Sequence, residues 1–168
     1  MLHCMTTNTI KRGHQALRKG RVSLPNKIYL ITVCCNNREK IFLDFNAARV
    51  MSSILHKVLK EQQSKILAWV VMPDHMHLAL QLAEDETLAK TMNRINSCSA
   101  IAVNKVLNRH SKLWQGAYHD HALRDEGQLF TAIRYLISNP IRAGLAETLG
   151  DYPYWNSVIV EPSEALQY

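Results

Sequence analysis

Apolar residues along the chain switch repeatedly between a period of two and a period near 3.6, and that switching predicts the elements. "KIYLITVCC", Lys27 to Cys35, is a β-branched and aromatic-rich strand. Asp44 stands where a helix N-cap belongs, and Ala47, Val50, Met51, Ile54, Leu55, Val58 and Leu59 then recur at helical spacing to about Gln62. "KILAWVVM" is a second strand, Pro73-Asp74 a tight turn, and "HMHLALQL" a third strand. Leu88, Met92, Ile95, Ala102, Val103, Val106 and Leu107 predict a second helix over about Glu86 to Leu107. A fourth strand is expected in "GAYHDHALR", and a third helix from about Glu126 to Ser138, stopping near Asn139-Pro140 because the residue before proline resists helical geometry. The order strand, helix, strand, strand, helix, strand is the split βαβ of a ferredoxin-like α+β fold. Its antiparallel sheet carries helices on one face, with an additional helix at the C-terminal end.

In that topology the first and third strands are central and the two crossover helices cover one face. Alternation then sends Met76, Leu78, Leu80 and Leu82 into the core and His75, His77, Ala79 and Gln81 to the other face. The first 26 residues are polar and basic, with Lys11, Arg12, Arg18, Lys19 and Arg21 ahead of Pro25-Asn26, so they read as an arm. Residues 27–157 form the domain and 158–168 a short tail.

Composition narrows the class. A chain of 168 residues that is 47% hydrophobic can build one real core, which excludes a disordered or fibrous protein. Twenty Lys+Arg against 14 Asp+Glu give a net charge of +6, which favours a polyanionic partner, a nucleic acid or an anionic membrane surface. Cys4, Cys34, Cys35 and Cys98 contain no CxxC pair and read as reduced thiols. No apolar run approaches a membrane span and the N-terminus lacks a signal-peptide core, so a cytoplasmic location without membrane attachment is expected.

The candidate chemistry begins with the paired imidazoles. Two histidines two residues apart on one strand can reach a single metal ion, although hydrogen-bonded structural histidines account for a bare HxH equally simply. Tyr135 and Asn139 are four residues apart, on one face of the third helix, so a helix laid over the open sheet presents both together. A tyrosine hydroxyl attacks phosphorus when a cation polarises the phosphate, and an asparagine carbonyl can complete the ligand set. Taken singly, Tyr135 also fits a core aromatic and Asn139 a helix stop.

"MPDHMHL" resembles the MPNHxHL element of the HUH (His-hydrophobe-His) single-strand DNA transposases, the IS200-like transposase domain. "YLISNPIRAGL" resembles their YIxxNPxRAGL segment, with "LWQGAYHDHALRD" between the two, and "RKGRVSLPNKIYLITV" resembles the REP-associated tyrosine transposase branch. The likeness runs from about Arg12 to Ser157. It implies a metal-dependent endonuclease and strand transferase for single-stranded DNA at hairpin-forming palindromic repeats. His75 and His77 would bind Mg²⁺ or Mn²⁺, with Asn139 as third ligand at a position commonly held by glutamine in relatives. Tyr135 would form a 5′-phosphotyrosine link and free a 3′-hydroxyl. Asp74 stands where many relatives have asparagine or glutamate, a turn position expected to tolerate the change. "DYPYWNS" resembles a DYPWSS element with one extra residue.

A single strand is held by phosphate contacts and base stacking. Arg18, Lys19 and Arg21 on the arm, Arg142 after the tyrosine helix and Arg124 are the DNA-binding candidates. A second HxH, His119 and His121, lies on the fourth strand, which is expected beside the first strand rather than the third. The two pairs should therefore stand about two strand spacings, ~10 Å, apart. His121 is assigned a supporting or DNA-facing place and His119 none. Two other readings stand beside this one: a domesticated hairpin-binding protein that no longer cuts, and a phosphodiesterase using a metal-bound water. The short link from Leu123 to Glu126 favours a tyrosine helix that serves its own histidines, hence a monomer, with a dimer as the alternative.

Overall fold

A computed structural model of the chain describes residues 23–61 and 63–160. The elements are β1 (Ile28–Cys34), α1 (Phe45–Glu61), β2 (Lys65–Met72), β3 (His75–Gln81), α2 (Leu88–Val106), β4 (His119–Ala122), α3 (Leu129–Ile137), α4 (Asn139–Arg142) and β5 (Trp155–Ser157). They build one five-stranded sheet of order β4-β1-β3-β2-β5, antiparallel throughout. The expected βαββαβ core is present with β1 and β3 inside it. The third helix follows β4 as expected, beginning at Leu129 after a turn of 3-10 helix over Glu126–Gln128. β4 is confined to four residues of the longer stretch expected. β5, bonded to the outer edge of β2, was not foreseen: three residues are too few for a period-two pattern to register.

Capping fixes where the helices begin. The Ala47 amide donates to Asp44 Oδ1 at 2.9 Å, the predicted cap of α1. Thr87 caps α2 by accepting from the Lys90 amide at 3.2 Å. α1 and α2 cover one face of the sheet, where Met51, Leu55, Met92, Ile95 and Val103 pack on Ile31, Val33, Met76, Leu78 and Leu80. Met76, Leu78, Leu80 and Leu82 are each 0% exposed. They are the core-facing set that alternation predicts.

α3 packs on the opposite face. Ile133, Leu136 and Ile137 meet Ala68, Val70, Met72 and Ala79, a patch completed by Leu149 and Val160. Small side chains at Ala68 and Ala79 let the helix lie close to β2 and β3. Its placement over that half of the sheet leaves the other half, from His77 across β1 to β4, uncovered by α3.

Hydrogen bonds and packing also tie down both ends of the described residues. The Leu88 amide donates to Ser23 Oγ at 3.1 Å, the Leu24 amide to Tyr29 Oη at 2.9 Å, and Val160 is 2% exposed. Among the described residues, no helix is long and apolar enough to cross a membrane.

Candidate metal and tyrosine site

Register lines up the side chains of the uncovered half-face. His119 on β4 is opposite Thr32 on β1, and Thr32 is opposite His77 on β3. His121 is opposite Leu30 in the same way. The two HxH pairs are thus separated by β1, as expected, and Thr32 stands between His119 and His77.

The His75 and His77 rings meet edge to face with centroids 4.7 Å apart, and their Nε2 atoms are 3.1 Å apart. Each outer nitrogen is held from behind. His75 Nδ1 lies 2.5 Å from Asp74 Oδ1, and His77 Nδ1 lies 2.8 Å from Thr32 Oγ1. Burial, then the neighbouring His75 ring and Arg38, push the His77 pKa down to about 4. The neutral imidazole, the form that ligates a metal, is therefore the one present at neutral pH.

These two nitrogens fit a shared divalent ion. Ligands ~2.1 Å from one cation are about 3.0 Å apart at a right angle and about 3.4 Å apart at the tetrahedral angle. The observed 3.1 Å lies between these values. Among the described residues, no cluster of three or more His, Cys, Asp or Glu side chains could hold a metal. A third protein ligand would have to be a side chain of another kind, such as an amide oxygen.

A cavity of 340 Å³ brings Tyr135, Asn139 and His121 together with His77. Its walls include Thr32 and His77 from the sheet, His119 and His121 from β4, and Tyr135 and Asn139 from the helical side. Tyr135 is 57% exposed, so it is not the core aromatic that its periodicity also allowed. The Arg142 guanidinium lies over its ring, 4.1 Å from the centroid. Asn139 uses its Nδ2 to cap the end of α3, donating to the Leu136 carbonyl at 2.8 Å and the Tyr135 carbonyl at 3.4 Å. These bonds use the amide nitrogen, and the other polar atom of the side chain is the amide oxygen.

His121 and Arg124 are both exposed, the first at the cavity wall and the second just beyond β4. Arg18, Lys19 and Arg21 lie outside the described residues. Sequence reasoning left His119 without a place, yet it shares the cavity wall with His121. It also missed Thr32 and the engagement of Asp74. The alternation of β1 already put Thr32 on the histidine face, but only the β1–β3 register puts it opposite His77.

A ferredoxin-like sheet bearing an HxH strand and a tyrosine helix on the face opposite α1 and α2 defines a class of protein, and comparison with known proteins agrees with it. The sequence pattern described as "Transposase IS200 like" matches residues 23–139. The chain belongs to the IS200-like transposase family. The REP-associated tyrosine transposase of Escherichia coli (strain K12) is 26% identical over 127 residues, covering 75% of this chain and 73% of that one. A Haemophilus influenzae protein provisionally given the same name is 26% identical over 137 residues, covering 76% and 77%.

The solved structure of a REP-associated tyrosine transposase bound to a REP hairpin superposes with a TM-score of 0.66 at 23% identity, covering 80% of this chain and 79% of that one. The same fold occurs in a bacterial tRNA(His) guanylyltransferase-like protein in complex with GTP, with a TM-score of 0.54 at 10% identity, covering 78% and 70%. Fold alone therefore does not specify the function, which resides in the side chains of the site.

Proposed function

We propose that the chain is a divalent-cation-dependent endonuclease and strand transferase acting on single-stranded DNA that carries REP-type hairpins. The observation that carries this reading is the meeting of His77, Tyr135 and Asn139 of one chain in one 340 Å³ cavity, with His75 Nε2 3.1 Å from His77 Nε2. His75, His77 and the Asn139 amide oxygen would hold Mg²⁺ or Mn²⁺. Such an ion, when bound, polarises the scissile phosphate and offsets charge developing on it.

The chain's own groups do the rest. Tyr135, exposed at the cavity, bonds its Oη to phosphorus and gives up the phenol proton to solvent, the bond to the 3′-oxygen breaks, and that oxygen takes a proton from solvent and leaves as a 3′-hydroxyl. The 5′-phosphate is left on the tyrosine. Attack by a 3′-hydroxyl reverses the step and returns the proton to Tyr135, so rejoining consumes no ATP. Arg142, already stacked on the ring, is placed to pair with a phosphate oxygen, and Arg124 and the basic arm residues Arg18, Lys19 and Arg21 contact phosphates further along the strand. The cavity shared by Tyr135 and His77 within one chain supports a tyrosine that serves its own chain's histidines and a monomeric working unit.

The test is a denaturing gel of protein, Mn²⁺ and a labelled hairpin oligonucleotide with single-stranded flanks. A protein-linked band that disappears in Tyr135→Phe is expected. His75→Ala and His77→Ala should abolish cleavage while leaving most DNA affinity, which comes chiefly from phosphate contacts. Binding without cleavage by the wild type would instead make the chain a hairpin-binding protein. Cleavage surviving Tyr135→Phe would point to a metal-bound water as nucleophile.

A further inference from the structure

His75 is gripped from behind by more than its own carboxylate neighbour. Asp74 uses both oxygens: Oδ1 lies 2.5 Å from His75 Nδ1 and Oδ2 lies 2.9 Å from Arg38 Nε. Arg38 also donates from Nη1 to Cys34 Sγ at 2.8 Å, and Cys34 is the β1 residue opposite His75 in the sheet register. The Asp74 carbonyl accepts from the Cys35 amide at 2.8 Å, so the turn is tied to the end of β1 by its backbone as well.

Asn37 and Arg38 both sit in the left-handed region, at φ 54° and 56°, in the turn that follows β1. Two consecutive non-glycine residues there are unfavourable and persist only where surrounding contacts compensate. The side chain of the second residue contacts Asp74 and Cys34, and its amide donates to the Cys35 carbonyl at 3.0 Å.

We infer that Asp74, clamped by Arg38, is a positioning residue for His75: it holds the ring with the proton on Nδ1 and directs the Nε2 lone pair at the point shared with His77. A carboxylate behind a ligating imidazole fixes the tautomer and raises ligand basicity, and loss of such a partner typically costs about 10–100-fold in metal affinity. Position 74 is therefore not a tolerant turn site in this chain. The inference rests on the proposed cation site, and its readouts are chosen to fail separately from that proposal.

Manganese affinity is to be measured by calorimetry on the full chain for the wild type, Asp74→Asn, Asp74→Ala, Arg38→Ala and, as a reference, His75→Ala. Imidazole ¹⁵N shifts of His75 are recorded on the same metal-free proteins. Asp74→Ala should weaken Mn²⁺ by about 10–100-fold and move the His75 proton from Nδ1 towards Nε2. Asp74→Asn, whose amide oxygen still accepts from Nδ1–H but carries no charge, should keep the tautomer and bind with intermediate affinity. Arg38→Ala should weaken Mn²⁺ without touching either histidine.

A purely structural turn role would leave the tautomer unchanged in every variant and restore full affinity with asparagine, and that result overturns the inference while the cation site stands. If the wild type binds Mn²⁺ no better than His75→Ala, the cation site itself is wrong and the inference falls with it.

Discussion

Thr32→Val isolates one atom of the proposed site. Thr32 Oγ1 lies 2.8 Å from His77 Nδ1, on the strand between His77 and His119. For His77 Nε2 to offer its lone pair, Nδ1 must carry the proton and Thr32 Oγ1 must accept it. Valine keeps the β-branched shape and the strand propensity but leaves that N–H without an acceptor in a partly buried ring. A net hydrogen bond contributes about 0.5–1.5 kcal/mol, and an orphaned donor costs about 1–3 kcal/mol. The ring avoids that cost by moving its proton to Nε2, where it blocks the ligand position.

The penalty therefore falls on cation binding. At about 1.4 kcal/mol per decade, Mn²⁺ affinity should drop roughly tenfold to a hundredfold. Global stability should change by only about 1 kcal/mol. Calorimetric Mn²⁺ titration and a thermal melt measure the two quantities, with Thr32→Ser as the control that keeps the hydroxyl and the affinity. Wild-type Mn²⁺ affinity in a fully folded Thr32→Val protein would show that the Thr32 hydroxyl does not set the His77 tautomer.

Mixing Tyr135→Phe with His77→Ala should not restore cleavage, because each chain's tyrosine shares a cavity with its own His77; recovery of activity in the gel assay would mean that the helix serves a partner. Burial, with Asp74 nearby as the next cause, pushes the Cys35 thiol up to about 12, so at pH 8 it stays a protonated thiol. Iodoacetamide at that pH should label the exposed Cys98 and leave Cys35 unmodified until the protein is unfolded, as read by peptide mass spectrometry.

Much of the site could be read from alternation and helical spacing. Met76 and Leu78 against His75 and His77 give the two faces of β3 directly, and the four-residue spacing of Tyr135 and Asn139 places both beside the second face. What could not be read depends on which strand lies against which, and at what register. Thr32 is an ordinary threonine of β1 until pairing puts it opposite His77. The roles of Asp74 and Arg38 require a left-handed turn that no run of residue types announces.

The end of the tyrosine helix was half legible. Proline does end α3 near Asn139, but it then opens α4, where a missing backbone N–H in the first turn costs nothing. β5 was illegible because its three residues are fixed by bonding to β2 rather than by any pattern of their own.

Covalent attachment of Tyr135 to DNA is read out by tryptic mapping of the adduct. Trypsin cuts after Arg134 and Arg142, so Tyr135 begins the peptide "YLISNPIR". After incubation with Mn²⁺ and a hairpin oligonucleotide, followed by nuclease and trypsin digestion, that peptide should carry a nucleotide through the Tyr135 oxygen. The modification should be absent when His77→Ala replaces the wild type. A cleaved oligonucleotide with the peptide unmodified, or a nucleotide attached to another residue, would contradict the account.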